Sequence, residues 1–422
     1  MDHRNLAPDL IKRLRASLPT PALEALETCE RIARERELPL FLVGGAVRDL
    51  LLEREGYDID LVVECDVEDL AHDLADAVGV RAIVHDRFGT ATVADRHFAI
   101  DLARSRRETY PHPGALPVVE PATLAEDLAR RDFTINAIAL RISPEPGEVV
   151  DPYRGVDDTF SSLVRVLHER SFQDDATRML RAVRYTTRLG FKIARETESL
   201  IRRDLDCLKH ISGPRLRREL ASLFEEPSAV DGTLMAQRLG VLQAIHPALS
   251  LPDPIATRWR AELADPKQAP LDELGFCVVV APTDEGTVAS VSKWLHLTGR
   301  VEKALTDLVR LRAASHKLSG ASVSQAVEVL DGFVPAAVQA LGVIEGGATG
   351  ATCRSYLMNW RHVKPVLDGN ALIELGMTQG QQVGEMLRWL RTERLEGRIT
   401  TREQEEVAVR RAVSGVEGKA SR

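Results

Sequence analysis

The chain has 422 residues, of which 44% are hydrophobic and 28% are charged, and its formal net charge is −8. That length predicts two to four domains, and no stretch reaches the roughly 18 to 20 apolar residues that a membrane-spanning helix needs. The N-terminus is polar and has no apolar signal core, so we expect a cytoplasmic protein without a membrane partner. The five cysteines form no CxxC pair, which is typical of reduced thiols and argues against a zinc site or a disulfide framework.

The first 140 or so residues alternate between helical spacing and short runs rich in β-branched residues. Gly44 and Gly45 separate the first apolar run from the short helical pattern that follows it. The predicted strands lie at residues 39–45, 58–64, 81–86, 90–95 and 97–103, and the predicted helices at 20–37, 46–53 and 66–79. This order predicts an α/β fold with a mixed sheet.

Residues 104–122 hold four prolines and a glycine, which predicts a loop. Residues 123–140 read as a helix, a turn and then a helix or strand. Strand signals fade after Asp158, and most of the remaining chain has helical spacing. We therefore predict an α/β head over residues 1–142, followed by an all-helical neck over 143–225, a helical body over 226–300 and a helical tail over 301–422.

Asp58 and Asp60 stand two apart at the start of an apolar strand. Side chains at i and i+2 point to the same face of a strand, so the two carboxylates repel each other unless a cation lies between them. An all-oxygen ligand set suits Mg²⁺. The alternative from the residues alone is a pair of surface aspartates.

Two further features favour a nucleotide and metal site. Gly44 and Gly45 lie between a strand and a helix, where backbone N–H groups can bind an anion, although such a pair can also be only a tight turn. Asp101 is the one acid within an apolar strand, and a third carboxylate completes a two-metal site. The alternative is that Asp101 pairs with Arg104 or Arg106.

The segment from Arg178 to Arg218 is basic although the whole chain is acidic, with twelve Lys or Arg against four Asp or Glu. A local basic stripe can bind phosphates on a protein of net negative charge. A set of solvated helix faces is the other interpretation.

Four stretches carry a resemblance to a known family: "LVGGAVRDLLL…DIDLVV", "LARRDFTINAIAL", "DPYRGVDD" and "DDATRMLRAVRYTTRLGF". In order and spacing they resemble the class II tRNA nucleotidyltransferases and bacterial poly(A) polymerases of the polymerase-beta-like superfamily. The strong match covers about residues 38 to 225. The resemblance implies a palm-like catalytic head, a neck that recognises the nucleotide and a tail that binds tRNA.

The resemblance also implies roles for individual residues. Asp58 and Asp60 are similar to the metal-binding catalytic carboxylates, with Asp101 as a third acid. The residues that the resemblance places around the nucleotide are Gly44, Gly45, Arg48, Asp49, Arg130, Arg131, Asp132, Asn136, Asp175, Arg178 and Arg181. The arginines that we expect to contact RNA are Arg184, Arg188, Arg215 and Arg218. Asp132 and Asn136 stand four apart, which on a helix places them on one face.

In the family, the Asp and Arg of a Glu-Asp-x-x-Arg motif read the incoming base. Here they correspond to Asp175 and Arg178, which on a helix share one face. A carboxylate accepts from the amino group of cytosine or adenine and a guanidinium donates to the ring acceptors, whereas uracil and guanine present a carbonyl oxygen instead of the amino group. The chain departs from the motif at Asp174, where the family has Glu.

We therefore predict a template-independent, Mg²⁺-dependent nucleotidyltransferase that adds C and/or A from CTP and ATP to the tRNA 3′ end and releases pyrophosphate. The loop at 104–122 departs from the pattern of full CCA-adding members after Tyr110, so CC-only or A-only addition is open. A poly(A) polymerase, a small-molecule nucleotidyltransferase and an inactive RNA-binding relative are the alternatives. The oligomeric state does not follow from the sequence.

Overall fold

The computed structural model describes residues 6–54, 58–85, 89–112, 114–264 and 269–420. The chain forms two compact units, each of which we describe by itself. The N-terminal unit comprises Met1–Glu219 and Asp231–Ile245, and the C-terminal unit comprises Leu220–Val230 and His246–Arg422. The finer division into head, neck, body and tail stays a prediction.

The strands all lie in the N-terminal unit within the described residues. They are β1 (Leu40–Val43), β2 (Ile59–Val63), β3 (Ala82–His85), β4 (Thr90–Ala94), β5 (Ala99–Arg104), β6 (Arg106–Thr109), β7 (Val118–Pro121), β8 (Ala139–Ser143), β9 (Val149–Val150), β10 (Leu163–Val164) and β11 (Lys192–Ile193).

Helices make up most of the chain outside these strands. Up to the end of the N-terminal unit they are α1 (Leu6–Ser17), α2 (Thr20–Glu35), α3 (Gly45–Leu51), α4 (Glu68–Val78), α5 (Leu124–Ala129), α6 (Gly155–Phe160), α7 (Ser171–Asp174), α8 (Arg178–Leu189), α9 (Arg195–Arg203), α10 (Gly213–Phe224), α11 (Ala229–Arg238) and α12 (Val241–Ile245). The C-terminal unit continues with α13 (Asp253–Leu263), α14 (Leu271–Val280), α15 (Glu285–Leu295), α16 (Gly299–Ala314), α17 (Val323–Leu330), α18 (Pro335–Glu345), α19 (Gly347–Met358), α20 (Gly369–Glu374), α21 (Gln381–Leu395) and α22 (Arg402–Ala420).

Within the described ranges a seven-stranded mixed sheet forms the centre of the N-terminal unit, in the order β3-β4-β5-β2-β1-β8-β9. The pairing of β2 with β5 is parallel and the other pairings are antiparallel. The predicted α/β head with a mixed sheet is therefore confirmed, and the remainder is mostly helical. The neck that was predicted to be all-helical contains the short strands β9, β10 and β11. The parallel register sets Asp60 directly opposite Asp101.

The two faces of the sheet are covered unequally, and this difference positions the site. Ile59, Leu61 and Val63 of β2 belong to the large core cluster that packs against α1, α2, α3 and α4. The opposite face carries a small cluster that includes Val62 of β2 and Leu128 of α5. Because side chains alternate along a strand, Asp60 projects on the same side as Val62, where little apolar structure covers the sheet.

The predicted loop at 104–122 is wrong in part, because β6 and β7 form a two-stranded antiparallel hairpin there. Opposite charges across the strands, such as Arg107 with Glu120 at 2.8 Å, support the pairing. Pro111 and Pro117 lie between the two strands, and Pro121 is the last residue of β7, where strand prolines are tolerated. Pro113 lies outside the described residues.

The C-terminal unit is helical, as predicted, within the residues that the structure describes. A cluster of Leu367, Leu372, Leu390, Ile399 and Val409 packs α20, α21 and α22 together. No single described helix is long and apolar enough to cross a membrane, and α17 with α18 meets the length and composition only as a pair bent by 118°.

Candidate active site

Asp60 and Asp101 form the acidic centre of the candidate site. Burial, followed by the charges of Asp101 and Asp58, raises the pKa of Asp60 above its ordinary value, while Arg131 acts in the opposite direction. Asp101 accepts a hydrogen bond from the Thr92 hydroxyl, with 2.5 Å between Oγ1 and Oδ1. Mutual repulsion of acceptor-only oxygens is the chemistry that a divalent cation relieves. In the described ranges no group of three or more His, Cys, Asp or Glu is close enough to hold a metal ion by itself.

The glycine turn lies beside this acidic pair in the sheet. Gly44 has a φ of +69°, a conformation that glycine adopts without strain, and it is the N-cap of α3. A Cβ at this position would lie 2.6 Å from Arg131 Nη1, so the absence of a side chain lets that guanidinium approach the turn. The predicted turn between strand and helix is confirmed, and its role in binding phosphates stays a prediction.

Asp127 on α5 holds both arginines of the "RRDF" stretch. It is 1% exposed, and it accepts from Arg130 Nη2 at 2.7 Å and from Arg131 Nη2 at 2.9 Å. Burial acts to raise the pKa of Asp127, but the charges of Arg131 and Arg130 outweigh it and the pKa is lowered. Glu108 of β6 accepts from the remaining Arg130 Nη1 at 2.8 Å. Arg130 is therefore held by carboxylates on two sides, and Arg131 is held by Asp127.

Asp132 and Asn136 meet, as predicted, but no α-helix brings them together. Residues Thr134–Asn136 form a 3₁₀ turn and Asp132 precedes it. Asn136 Nδ2 donates to Asp132 Oδ1 at 3.0 Å, and Asn136 Oδ1 accepts from Arg48 Nη1 at 2.6 Å. Arg48 is 3% exposed and pairs with Asp49 through two hydrogen bonds of 2.9 and 2.8 Å. The buried Arg48 side chain therefore links α3 to this turn through hydrogen bonds.

Tyr185 of α8 lies under three guanidiniums. The guanidinium carbons of Arg48, Arg181 and Arg184 are 5.4, 5.5 and 5.8 Å from its ring centroid, within the range of cation–π attraction. Arg181 also donates to Asp132 Oδ2 through Nε at 2.9 Å and Nη2 at 2.6 Å. Burial opposes the charged form of Arg181, but Asp132 outweighs it and its pKa is raised.

The predicted base-reading pair does not share a helix. Asp175 has extended backbone, with φ −144° and ψ 100°, and α8 begins only at Arg178. The Asp175 carboxylate accepts hydrogen bonds from the hydroxyl and the backbone N–H of Thr177, the residue directly before α8. Arg178 is 5% exposed and donates to Ser171 Oγ at 2.8 Å and to the Arg130 carbonyl at 2.7 Å. The sequence spacing correctly predicted that Asp175 and Arg178 lie close together, but it wrongly placed both of them on one helix.

Two cavities meet at these groups. One, of about 350 Å³, is lined by Gly45, Asp60, Glu108, Tyr110, Arg130, Arg131, Asp132, Asn136, Asp175, Arg178, Arg181 and Tyr185. The other, of about 340 Å³, is lined by strand residues that include Thr90, Thr92 and Asp101. Asp60, Arg130 and Arg131 border both cavities. A reaction between two bound molecules could therefore take place at Asp60.

The four arginines predicted to contact RNA occupy different environments. Arg188 and Arg218 are exposed, and Arg184 is 15% exposed and lies 3.5 Å from Glu219. Arg215 of α10 pairs with Asp175, with 2.9 Å between Nη2 and Oδ1. Their contact with RNA stays a prediction.

Sequence reasoning missed Asp127 and Thr92. Asp127 stands three and four residues before Arg130 and Arg131, the spacing of ion pairs on a helix, so the pattern could have indicated it. Thr92 contacts Asp101 across the antiparallel pairing of β4 with β5, and no local signal marks it. Tyr110 also lines the nucleotide-sized cavity, and burial followed by the Glu108 charge raises its pKa.

Comparison with known families matches two parts of the chain. The family described as "Poly A polymerase head domain" matches residues 40–165, and "Probable RNA and SrmB- binding site of polymerase A" matches residues 190–251. An A-adding tRNA nucleotidyltransferase of Halalkalibacterium halodurans is 29% identical over 401 residues, which cover 94% of this chain and 93% of that protein. Residues 40–165 and 190–251 are thus similar to the poly A polymerase head and to the probable RNA-binding site of that polymerase, and the similarity to the A-adding relative extends along nearly the whole chain.

Other relatives in this family match over shorter regions. An A-adding tRNA nucleotidyltransferase of Geobacter sulfurreducens is 40% identical over 247 residues, or 58% of this chain and 28% of that protein. A CC-adding tRNA nucleotidyltransferase of Deinococcus radiodurans is 42% identical over 192 residues, or 44% of this chain and 50% of that protein. The chain thus spans half or less of the length of these two relatives.

Solved structures of tRNA nucleotidyltransferases are similar over nearly the whole chain. A CCA-adding enzyme in an apo form has a TM-score of 0.79 at 26% identity, covering 95% of this chain and 97% of that one. The Thermotoga maritima CCA-adding enzyme complexed with tRNA has a TM-score of 0.75 at 26% identity, covering 96% and 98%. The predicted resemblance to this family is therefore confirmed.

Proposed function

We propose that the chain is a template-independent RNA nucleotidyltransferase that transfers the AMP unit of ATP to tRNA ending in CC. The observation that carries this proposal is the meeting of two cavities at Asp60, with base-reading groups in one and Asp101 in the other. A transferase needs one subsite for the nucleotide and one for the acceptor, with the catalytic carboxylates between them.

The larger cavity suits a nucleoside triphosphate. Asp175 supplies an acceptor for the amino group of adenine or cytosine, and Arg178 supplies donors for a ring nitrogen or carbonyl. Arg130 and Arg131, which Asp127 holds in place, provide charge for the phosphates. The cavity therefore offers base recognition and phosphate binding within about 350 Å³.

Nucleotidyltransferases of this family generally use a divalent metal ion, and we propose Mg²⁺ at Asp58 and Asp60, with Asp101 as the third acid. The oxygen-only donor set and the raised pKa of Asp60, which follows from burial and from the neighbouring carboxylates, fit such an ion. When bound, the metal would stabilise the negative charge that develops during transfer. Chelation should abolish incorporation, and Mg²⁺ should restore it.

The proposed reaction balances in one step. The terminal 3′-hydroxyl of the RNA attacks the α-phosphorus of ATP, loses its proton to a base or solvent, and displaces pyrophosphate. The P–O bond to the pyrophosphate breaks as the new phosphodiester forms. The chain contributes orientation of both reactants and charge at the phosphates.

Relatives favour addition of A as the activity. The A-adding enzyme of Halalkalibacterium halodurans matches nearly the full chain, and the A-adding enzyme of Geobacter sulfurreducens is 40% identical over the part that it matches. The geometry of Asp175 and Arg178 fits adenine and cytosine alike, so it does not separate A addition from CC or CCA addition. A tRNA-processing role also leads us to propose a cytoplasmic location.

Three tRNA transcripts test the function: one ending at the discriminator base, one ending in C and one ending in CC. Each is incubated with Mg²⁺ and with ATP, CTP or both, and single-nucleotide extension is read on a gel. We expect A to be added only to the CC end. Addition of C to the shorter ends would replace the proposal with CC or CCA addition, and long A tails on unrelated RNA would indicate a poly(A) polymerase.

A matched pair of variants tests the carboxylate assignment. Asp60→Asn should abolish extension while leaving tRNA affinity within about twofold, because the change removes a charge at the reacting phosphate and not an RNA contact. Asp69→Asn, the same chemical change on an exposed position of α4, should retain activity. Near-normal extension by Asp60→Asn would overturn the metal assignment.

A further inference from the structure

The two oxygens of the Asp175 carboxylate have different surroundings. Oδ1 accepts from Thr177 Oγ1 at 2.7 Å and from the Thr177 backbone N–H at 3.0 Å, and Arg215 Nη2 lies 2.9 Å from it. Oδ2 has no hydrogen-bond partner within the described part of the chain. A carboxylate has room for about four hydrogen bonds, about two for each oxygen, so the two donors of Thr177 leave Oδ1 with no further acceptor capacity.

This asymmetry leaves one oxygen for the base. Asp175 lines the nucleotide-sized cavity, and the two Thr177 donors together with the Arg215 ion pair hold the carboxylate against rotation about its terminal torsion, which is otherwise broad. Oδ2 is then an acceptor of fixed direction. A fixed acceptor favours a base that presents an amino group and disfavours one that presents a carbonyl oxygen, because two acceptors face each other unpaired.

Arg215 is the one charged partner of the Asp175 carboxylate among these contacts. It comes from α10, some forty residues further along the chain than Asp175, and its side chain is 20% exposed. Its Nη2 lies 2.9 Å from Oδ1, and the attraction between these two partly buried opposite charges holds the carboxylate on that side. Its Nη2 faces Asp175 and its Nη1 is buried, so the guanidinium is poorly placed as a phosphate contact.

We propose that Arg215 is a positioning residue that sets base selectivity by fixing the Asp175 carboxylate, rather than a direct RNA contact. The proposal rests on the proposed function, since selectivity is measured in the transfer reaction. It replaces the RNA-binding role that the basic segment predicted for this residue.

The test compares Arg215→Ala with Arg218→Ala on the same helix. Incorporation of ATP and of GTP onto tRNA ending in CC gives kcat and KM for each nucleotide, and a filter-binding assay gives the tRNA affinity. Arg215→Ala should lower the ATP-over-GTP ratio of kcat/KM by about tenfold or more, the discrimination expected when a polar recognition group loses its orientation. Its tRNA affinity should change by no more than about twofold.

Two further variants separate positioning from a general loss of structure. Arg215→Lys keeps a charged donor and should recover part of the ATP-over-GTP ratio, although the point-like ammonium does not reproduce the planar guanidinium. Thr177→Val removes only the hydroxyl donor to Oδ1 and should lower the ratio in the same direction by a smaller factor. These two variants decide the question even where Arg215→Ala fails to fold.

A failure of the positioning role of Arg215 can be distinguished from a failure of the proposed function. If the unmodified protein adds no nucleotide to any transcript, the proposed function fails. If it adds A and the Arg215 and Thr177 variants keep the wild-type ratio, only the positioning role is overturned. If Arg215→Ala weakens tRNA binding as Arg218→Ala does and leaves the ratio unchanged, Arg215 is an RNA contact.

Discussion

Asp127→Asn is a sharp test of how the phosphate-side arginines are held. The carboxylate is 1% exposed and receives three guanidinium N–H groups, from Arg130 Nε at 3.0 Å, Arg130 Nη2 at 2.7 Å and Arg131 Nη2 at 2.9 Å. Asparagine has the same shape, but it carries no charge, and its NH₂ group cannot accept from the guanidinium that it then faces.

The loss should fall mainly on Arg131. Arg130 keeps Glu108, which accepts from its Nη1 at 2.8 Å, whereas the other hydrogen bond of Arg131 is a 3.3 Å contact with the Asn136 carbonyl. Removing one member of a buried ion pair costs about 3 to 5 kcal/mol. Because the two guanidiniums keep 20% and 17% exposure, we expect the lower end, about 3 kcal/mol.

That free energy can be measured by urea unfolding followed by far-UV circular dichroism. With an m-value of about 2 to 3 kcal/mol per molar urea, the midpoint should fall by about 1 M. In the extension assay, the KM for ATP should rise by about tenfold, because Arg131 is no longer fixed beside Gly44 and Asp60. Asp69→Asn on the surface of α4 should shift the unfolding free energy by less than about 1 kcal/mol.

The pH dependence of the same variant gives a second check. Burial raises the pKa of Asp127, but Arg131 and Arg130 outweigh burial and the folded-state pKa is lowered. A lowered folded-state pKa stabilises the protein above the unfolded value of about 3.9, and this contribution is lost as pH falls through the folded-state value. The stability difference between the unmodified protein and Asp127→Asn should therefore be full at pH 7 and shrink below about pH 4. Equal midpoints at pH 7, or a difference that grows on acidification, would refute the reasoning.

Two further predictions concern the candidate catalytic carboxylate Asp101 and the C-terminal unit. Thr92→Val should lower kcat by about tenfold with little change in KM, because Asp101 loses the hydroxyl that orients it. Thr257→Val, the same chemical change at an exposed position of α13, should leave kcat unchanged, and equal effects of the two changes would contradict this. Glu405 is 0% exposed and accepts from Arg394 Nη1 at 2.6 Å, so Glu405→Gln should lower the free energy of unfolding by about 3 kcal/mol. All four tryptophans lie beyond residue 245, so their fluorescence reports that loss within the C-terminal unit, and an unchanged urea midpoint would contradict it.

Much of the fold could be predicted from local patterns. Alternation in β2 and β5 and helical spacing in α2, α4 and α8 follow from burial of one face of each element, which leaves its period in the sequence. The hairpin of β6 and β7 was missed because its strands are short and flanked by prolines, and its stability comes from cross-strand pairs such as Arg107 with Glu120.

The candidate site was predicted less completely, for a different reason. The acids and arginines stood out as unexpected residue types in apolar or motif-bearing stretches, so Asp60, Asp101 and Arg178 could be named as candidates. Their partners are ordinary residues, and Thr92 or Ser171 becomes notable only through the contact that it makes.

The sequence by itself determined which side chains are candidates for the chemistry, because charge, hydrogen-bonding capacity and strand or helix period are local properties. Tertiary structure decided how those side chains are combined. The parallel pairing of β2 with β5 sets Asp60 opposite Asp101, and α10 brings Arg215 to Asp175 from some forty residues away. Such pairings depend on which elements pack together, and spacing along the chain carries no record of that choice.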